Sequence, residues 1–137
     1  TGKHFSIDKA AAPPRPTVVP PVCIGAYGEQ IGLPMVGRLA DVWNSSLQGN
    51  EERWLRKRGI MRASAEKAGR DPQSIEISLT IERSLPTNDS ESQQFVDDLM
   101  HLRELDACHF VMDFGHPKST EPVLRFVEQV MQPINGK

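Results

Sequence analysis

The residues with the chemistry to meet a ligand lie where an apolar run gives way to a polar one. Val22-Cys-Ile-Gly-Ala-Tyr-Gly-Glu-Gln30 passes from a short strand into a glycine turn and on toward a helix. Backbone N–H groups freed by such a turn, together with the positive end of the next helix, hold a phosphate in barrel and doubly wound proteins. Gly25 and Gly28 would let the backbone come close to the anion, with Ala26, Tyr27, Glu29 and Gln30 completing the turn. Trp43 and Asn44 close a second apolar run, Glu82 and Arg83 a third, and Asp113-Phe-Gly-His116 a fourth. Arg83 suits an anionic group. His116 suits a general acid or base, since imidazole titrates near 6.5. Each has a plainer reading beside it: an ordinary strand-to-helix turn, core packing for Trp43, a surface ion pair for Arg83 and a loop histidine before Pro117. His4, His101 and His109 read as structural or exposed. No His, Cys or carboxylate pair has metal-ligand spacing, and no Ser-His-Asp arrangement stands out.

The elements that must position these residues alternate regularly. Strands are expected near 22–26, 40–44, 75–82 and 108–113. Ile75, Ile77, Leu79 and Ile81 alternate with Glu76, Ser78 and Thr80, the period of a strand. The first helix is expected from about Glu29 to Leu39, beginning near Ile31 or Leu33 because Pro34 is tolerated only in a first turn. Leu33, Val36, Leu39 and Ala40 are its buried face. Asn50 caps a second helix that runs to Ala68, with Trp54, Met61, Ala65 and Ala68 inward, and Gly69 and Asp71-Pro72 end it. A third helix, from about Glu91 to Leu105, buries Phe95, Val96, Leu99 and Leu102. A last one, capped by Ser119 or Thr120, turns Val123, Phe126, Val127 and Val130 inward. Residues 1–21, rich in proline, read as an extended connector. The fold class is therefore α/β: about four βα units and a parallel sheet with its chemistry at the strands' C-terminal ends.

The chain has 137 residues and a formal charge of −2. That is one domain at most, and its dispersed basic residues leave no nucleic-acid footprint. The Arg53–Arg62 basic run, flanked by glutamates, reads as a solvated helix face. No apolar run approaches the roughly 18 residues of a membrane span, and no secretory leader is visible. Cys23 and Cys108, each inside an apolar strand, are expected to be free buried thiols in a reducing cytoplasm.

Gly2-Lys-His-Phe5, Pro20-Pro-Val-Cys-Ile-Gly25, Ala40-Asp-Val-Trp-Asn44, Ala68-Gly-Arg-Asp-Pro72 and His109-Phe-Val-Met-Asp-Phe-Gly115, in that order, resemble the luciferase-like monooxygenase family along the whole chain. The likeness is greatest to the branch that uses the deazaflavin coenzyme F-420. It implies a TIM (β/α)8 barrel of which this chain is the C-terminal half. A whole barrel takes about 250 residues. The first strands, and much of the pocket for the cofactor ring, would lie elsewhere. Gly25–Gln30 matches the family's turn, although Tyr27 replaces a residue that is usually small. By the same resemblance Asn44 would bond a cofactor edge, Trp43 would wall the pocket and Arg83 would meet an anionic tail. The implied chemistry is hydride transfer between F-420 and a small-molecule substrate, with an FMN-dependent monooxygenase as the alternative. A half-barrel alone is expected to be inactive and to form a homo-oligomer or to associate with its missing N-terminal half, leaving two strand edges open otherwise.

Overall fold

In the computed structural model, which describes residues 2–8, 10, 13–14 and 16–136, strands and helices alternate from residue 23 onward. The chain runs β1 (Cys23–Gly25), α1 (Gly32–Leu39), β2 (Val42–Ser45), α2 (Glu51–Lys67), a 3-10 turn (Pro72–Ser74), β3 (Glu76–Glu82), α3 (Asp89–Glu104) and β4 (Ala107–Asp113). A final helical run comprises α4 (Glu121–Phe126), a π-helical turn (Val127–Met131) and α5 (Gln132–Asn135). The described residues before β1 form no helix or strand and are exposed; the remainder of the proposed connector lies outside the described residues. No helix among the described residues is long and apolar enough to cross a membrane.

The four strands are parallel and stand in sequence order, β1-β2-β3-β4. Right-handed crossovers between neighbouring strands in sequence order put their helices on one face of the sheet. Ile24, Trp43, Ile77 and Leu79 fall on that face by strand alternation, and the last three are fully or almost fully buried. With Leu33, Val36, Met61, Ala65, Phe95 and Leu99 they form the core. The opposite face carries Cys23, Gly25, Asn44, Ser78, Thr80 and Glu82. Most of these side chains are exposed or half-buried, Ser78 being the buried exception.

The helix ends follow the local chemistry of the sequence. Asn50 Oδ1 accepts the Arg53 N–H at 2.8 Å, with Glu51 and Glu52 in the first turn of α2. Gly69, at φ +72°, closes the other end in the left-handed conformation glycine favours. Asn88 caps α3 by accepting from Glu91 N–H, and Glu91 returns the bond to Thr87 N–H at 2.7 Å. That reciprocal pair holds the Glu91 carboxyl below its ordinary range. The Ala68–Pro72 motif is likewise structural. Arg70 donates to Gly37 O and Ala40 O, satisfying the end of α1, and Asp71 Oδ1 accepts Gln73 N–H to start the 3-10 turn.

Some expectations are corrected. α1 begins at Gly32, between Ile31 and Leu33 as Pro34 requires, but its inner face uses Gly37 where Leu39 was expected; Leu39 is exposed. An ideal Cβ at Gly37 would stand 2.5 Å from Met61 O and 2.7 Å from Ala65 N, so α1 and α2 touch backbone to backbone there. Val127 is more than a third exposed, because the π-helical turn rotates it outward, while Ile134 takes an inner place. Cys23 and Cys108 are free but exposed. Cys23 sits on the uncovered face. Cys108 is the extra residue of a register shift between β3 and β4, where Ile77 pairs with Ala107 and Ser78 with His109. The Arg53–Arg62 run is only partly a solvated face. Lys57 is buried, Arg58 donates to Leu105 O at 2.6 Å at the end of α3, and Arg58 and Arg62 both pair with Asp106.

Candidate functional site

The C-terminal edge of the sheet gathers the β1–α1 loop, the end of β2 and the end of β3. The loop is held from beneath. Trp43 Nε1 donates to Ala26 O at 3.0 Å, Lys57 Nζ donates to Tyr27 O at 2.7 Å, and Gly28 O accepts Leu33 N–H at 2.8 Å. Glu29 pairs with Arg56. Gly32 lets the loop close, since an added Cβ would approach Ala26 Cβ to 3.0 Å. While the Ala26, Tyr27 and Gly28 carbonyls are engaged in this way, the backbone N–H groups from Tyr27 through Gly32 meet no acceptor among the described residues. Carbonyls tied inward and N–H groups left free beside a helix start are the elements of an anion cradle.

Trp43 is fully buried and stacks on Trp54, with ring centroids 5.8 Å apart and planes 7° from parallel. It pairs in register with Ile77, so strand alternation turns it toward the helices. From the core it supports the loop, and it lines none of the described cavities. Trp54 Nε1 in turn donates to Ser45 Oγ at 2.9 Å, which fixes the end of β2.

Asn44 faces the other way, onto the uncovered side, and joins a polar row across three strands. Its Nδ2 donates to Ser78 Oγ at 3.1 Å, and its Oδ1 accepts from Thr80 Oγ1 at 3.3 Å. Ser78 Oγ lies 3.0 Å from His109 Nδ1. The register shift at Cys108 brings His109 opposite Ser78; an unbroken register would put Cys108 there. The row fixes which end of the Asn44 amide faces along the sheet, and the sequence reading missed it. Its only trace in the sequence is the polar half of the β3 alternation.

Arg83 is held by Asp98 at 2.5 Å and lies over the Phe95 ring, 4.3 Å from its centroid. It lines a cleft of about 790 Å³ with Tyr27, Ser46, Thr80, Glu82 and His101. Burial raises the Tyr27 hydroxyl above its ordinary value near 10, with hydrogen bonding at Ser46 opposing it. His116 stands in the exposed loop after β4 and lines none of the described cavities. Lys57 went unnoticed in the sequence, although it falls between Trp54 and Met61 at inner-stripe spacing.

Parallel strands in sequence order and one helical layer define an α/β protein of the singly wound kind, with a candidate anion-binding loop at the strands' C-terminal ends. More particularly, the chain belongs to the luciferase-like monooxygenase family, whose sequence model matches residues 1–130. It is a family of flavin-type oxidoreductases and monooxygenases that use flavin or deazaflavin cofactors. No curated protein matches the chain. The residues present fit the phosphate end of such a cofactor: free N–H groups, room at Gly25 and Gly28, and the buried ammonium of Lys57 beside them.

Proposed function

We propose that this chain is the C-terminal half, about four βα units, of a (β/α)8 barrel oxidoreductase that transfers hydride between coenzyme F-420 and a small organic substrate. The observation that carries the reading is the loop Gly25–Gln30, its Ala26, Tyr27 and Gly28 carbonyls engaged and its N–H groups from Tyr27 onward free, in a chain of this family. The uncovered polar face of the sheet supports the half-barrel: in a closed barrel that face lines the interior. The bound coenzyme supplies the redox chemistry. This chain's residues bind and orient it. The loop from Gly25 to Gln30 takes the phosphate, Trp43 supports the loop, and Asn44 offers its amide at the strand end. Arg83, if released from Asp98, offers a cation to an acidic tail, and His116 is the candidate proton carrier from the β4 loop.

The test is a fluorescence titration of the longer protein that contains this segment, with F-420 in one arm and FMN in the other. Saturable binding of F-420 supports the proposal. Binding of FMN alone, with oxygen consumed in the presence of reduced FMN, turns it into the monooxygenase. Binding of neither ends it. A second consequence is association. The outer edges of β1 and β4 have no strand partner among the described residues, so the isolated chain is expected to self-associate or to pair with the rest of its barrel. Sedimentation showing a clean monomer at all concentrations would argue against that part.

A further inference from the structure

Lys57 occupies a place where a charge is costly. It lies on the inner stripe of α2 among Trp54, Met61 and Ala65 and is only 6% exposed. No carboxylate forms an ion pair with it among the described residues. Its partners there are both neutral: the Tyr27 carbonyl at 2.7 Å and the Tyr27 ring, 5.1 Å to the centroid. An apolar side chain of the same length would fill the position without the cost of burying an ammonium.

The geometry of the peptide bond shows what that bond does. The peptides on either side of Tyr27 are trans, so in each the C=O and the N–H point in opposite directions. Lys57 draws the Tyr27 carbonyl toward α2, which aims the Gly28 N–H away from the protein body. Trp43 draws the Ala26 carbonyl inward, which aims the Tyr27 N–H outward as well. Two successive N–H groups are thus fixed on the side a ligand would occupy, one by a neutral indole and the other by a cation. The cation also adds a full positive charge behind the loop, where water screens it little.

We infer that Lys57 is a positioning residue for a phosphate group on the Gly25–Gln30 loop, acting through the Tyr27 carbonyl and through its unneutralised charge. The inference rests on the reading of that loop as the phosphate site. Its ligand is the phosphate common to FMN and F-420.

The probe is inorganic phosphate, added to the 137-residue chain at constant ionic strength with chloride as the control, and read on the backbone amide resonances of Tyr27, Gly28 and Glu29. These amides are expected to shift saturably with phosphate and not with chloride. Lys57→Met is expected to weaken phosphate at least about tenfold while the amides of β3 stay in place, and Lys57→Arg to recover most of the affinity. In the longer protein, Lys57→Met is expected to weaken FMN and leave riboflavin, which lacks the phosphate, unchanged. Amides in the wild-type chain that ignore phosphate would overturn the phosphate site itself, and the inference with it. A wild-type response with equal affinity in Lys57→Met would overturn the role of Lys57 alone. If Lys57→Met does not fold, Lys57→Gln keeps a neutral donor, and phosphate affinity equal to wild type in that variant would remove the charge from the inference.

Discussion

The two faces of one strand differ more than any two elements of the molecule. On β3, Leu79 points into the helical layer and is fully buried among apolar side chains. Ser78, next to it, points to the uncovered face and is buried by hydrogen-bonded neighbours, Asn44 and His109. The helical face is closed by volume and the other by polar geometry. Stability is therefore concentrated on one side of a sheet whose other side keeps groups that can bond a ligand or the rest of a barrel. The β1–α1 loop stands where the two meet, held from the helical side by Trp43 and Lys57.

Truncating Leu79 and Ser78 in parallel gives the sharpest test of that contrast. Leu79→Ala is expected to cost about 3 kcal/mol, the lost transfer energy plus the cavity left behind. Ser78→Ala is expected to cost about 1 kcal/mol, since its partners Asn44 and His109 are open enough for water to replace it. Urea denaturation midpoints measure both. Equal losses would mean that the two faces contribute alike, and the comparison would fail.

A second test concerns the helical layer, where two backbones touch. Gly37→Ala places a methyl group against Met61 O and Ala65 N, neither of which is the end of a flexible side chain. A loss of about 2 kcal/mol is expected. Gly59, on the exposed side of α2, meets nothing within 4 Å of an added Cβ, and Gly59→Ala is expected to be neutral or stabilising. A harmless Gly37→Ala would show that the α1–α2 contact can open at little cost.

What could be read from the sequence divides along the same line. The helical face was legible because its signals are local and periodic. Leu33, Val36, Phe95, Leu99 and the odd positions of β3 repeat with the right spacing, and Asn50, Gly69 and Asp71 mark ends by their own backbone chemistry. The loop Gly25–Gln30 was legible as a turn. The row Asn44–Ser78–His109 was not, because it depends on register between strands and on the extra residue Cys108, which no spacing within one strand reveals. Lys57 was misread because a charged residue inside a basic run looks solvated. Only the apolar stripe on both sides of it says otherwise. Gly37 was passed over for Leu39 because hydrophobicity cannot show where two helices come too close for any side chain.

The smallest expected effect is electrostatic, and it tests whether the helical side also holds a titrating tie. His101 Nε2 lies 2.8 Å from Glu51 Oε2, joining α3 to the first turn of α2 at the rim of the cleft, and Glu104 stands 3.8 Å from the other ring nitrogen. The hydrogen bond to Glu51, then the charge of Glu51, raise the imidazole above its ordinary value near 6.5. Folding therefore favours the protonated ring. The pair's contribution is fully present below about pH 6.5, the value in the unfolded chain, and is lost as pH rises through the higher folded value. Both groups are open to water, so the effect shrinks as salt is added. In wild type the urea midpoint should decline across that window, and His101→Gln and Glu51→Gln should each remove that part of the slope, with the double variant removing no more. Should the three variants keep the wild-type slope, the tie between α2 and α3 would carry no weight, and the contrast between the two faces would rest on burial alone.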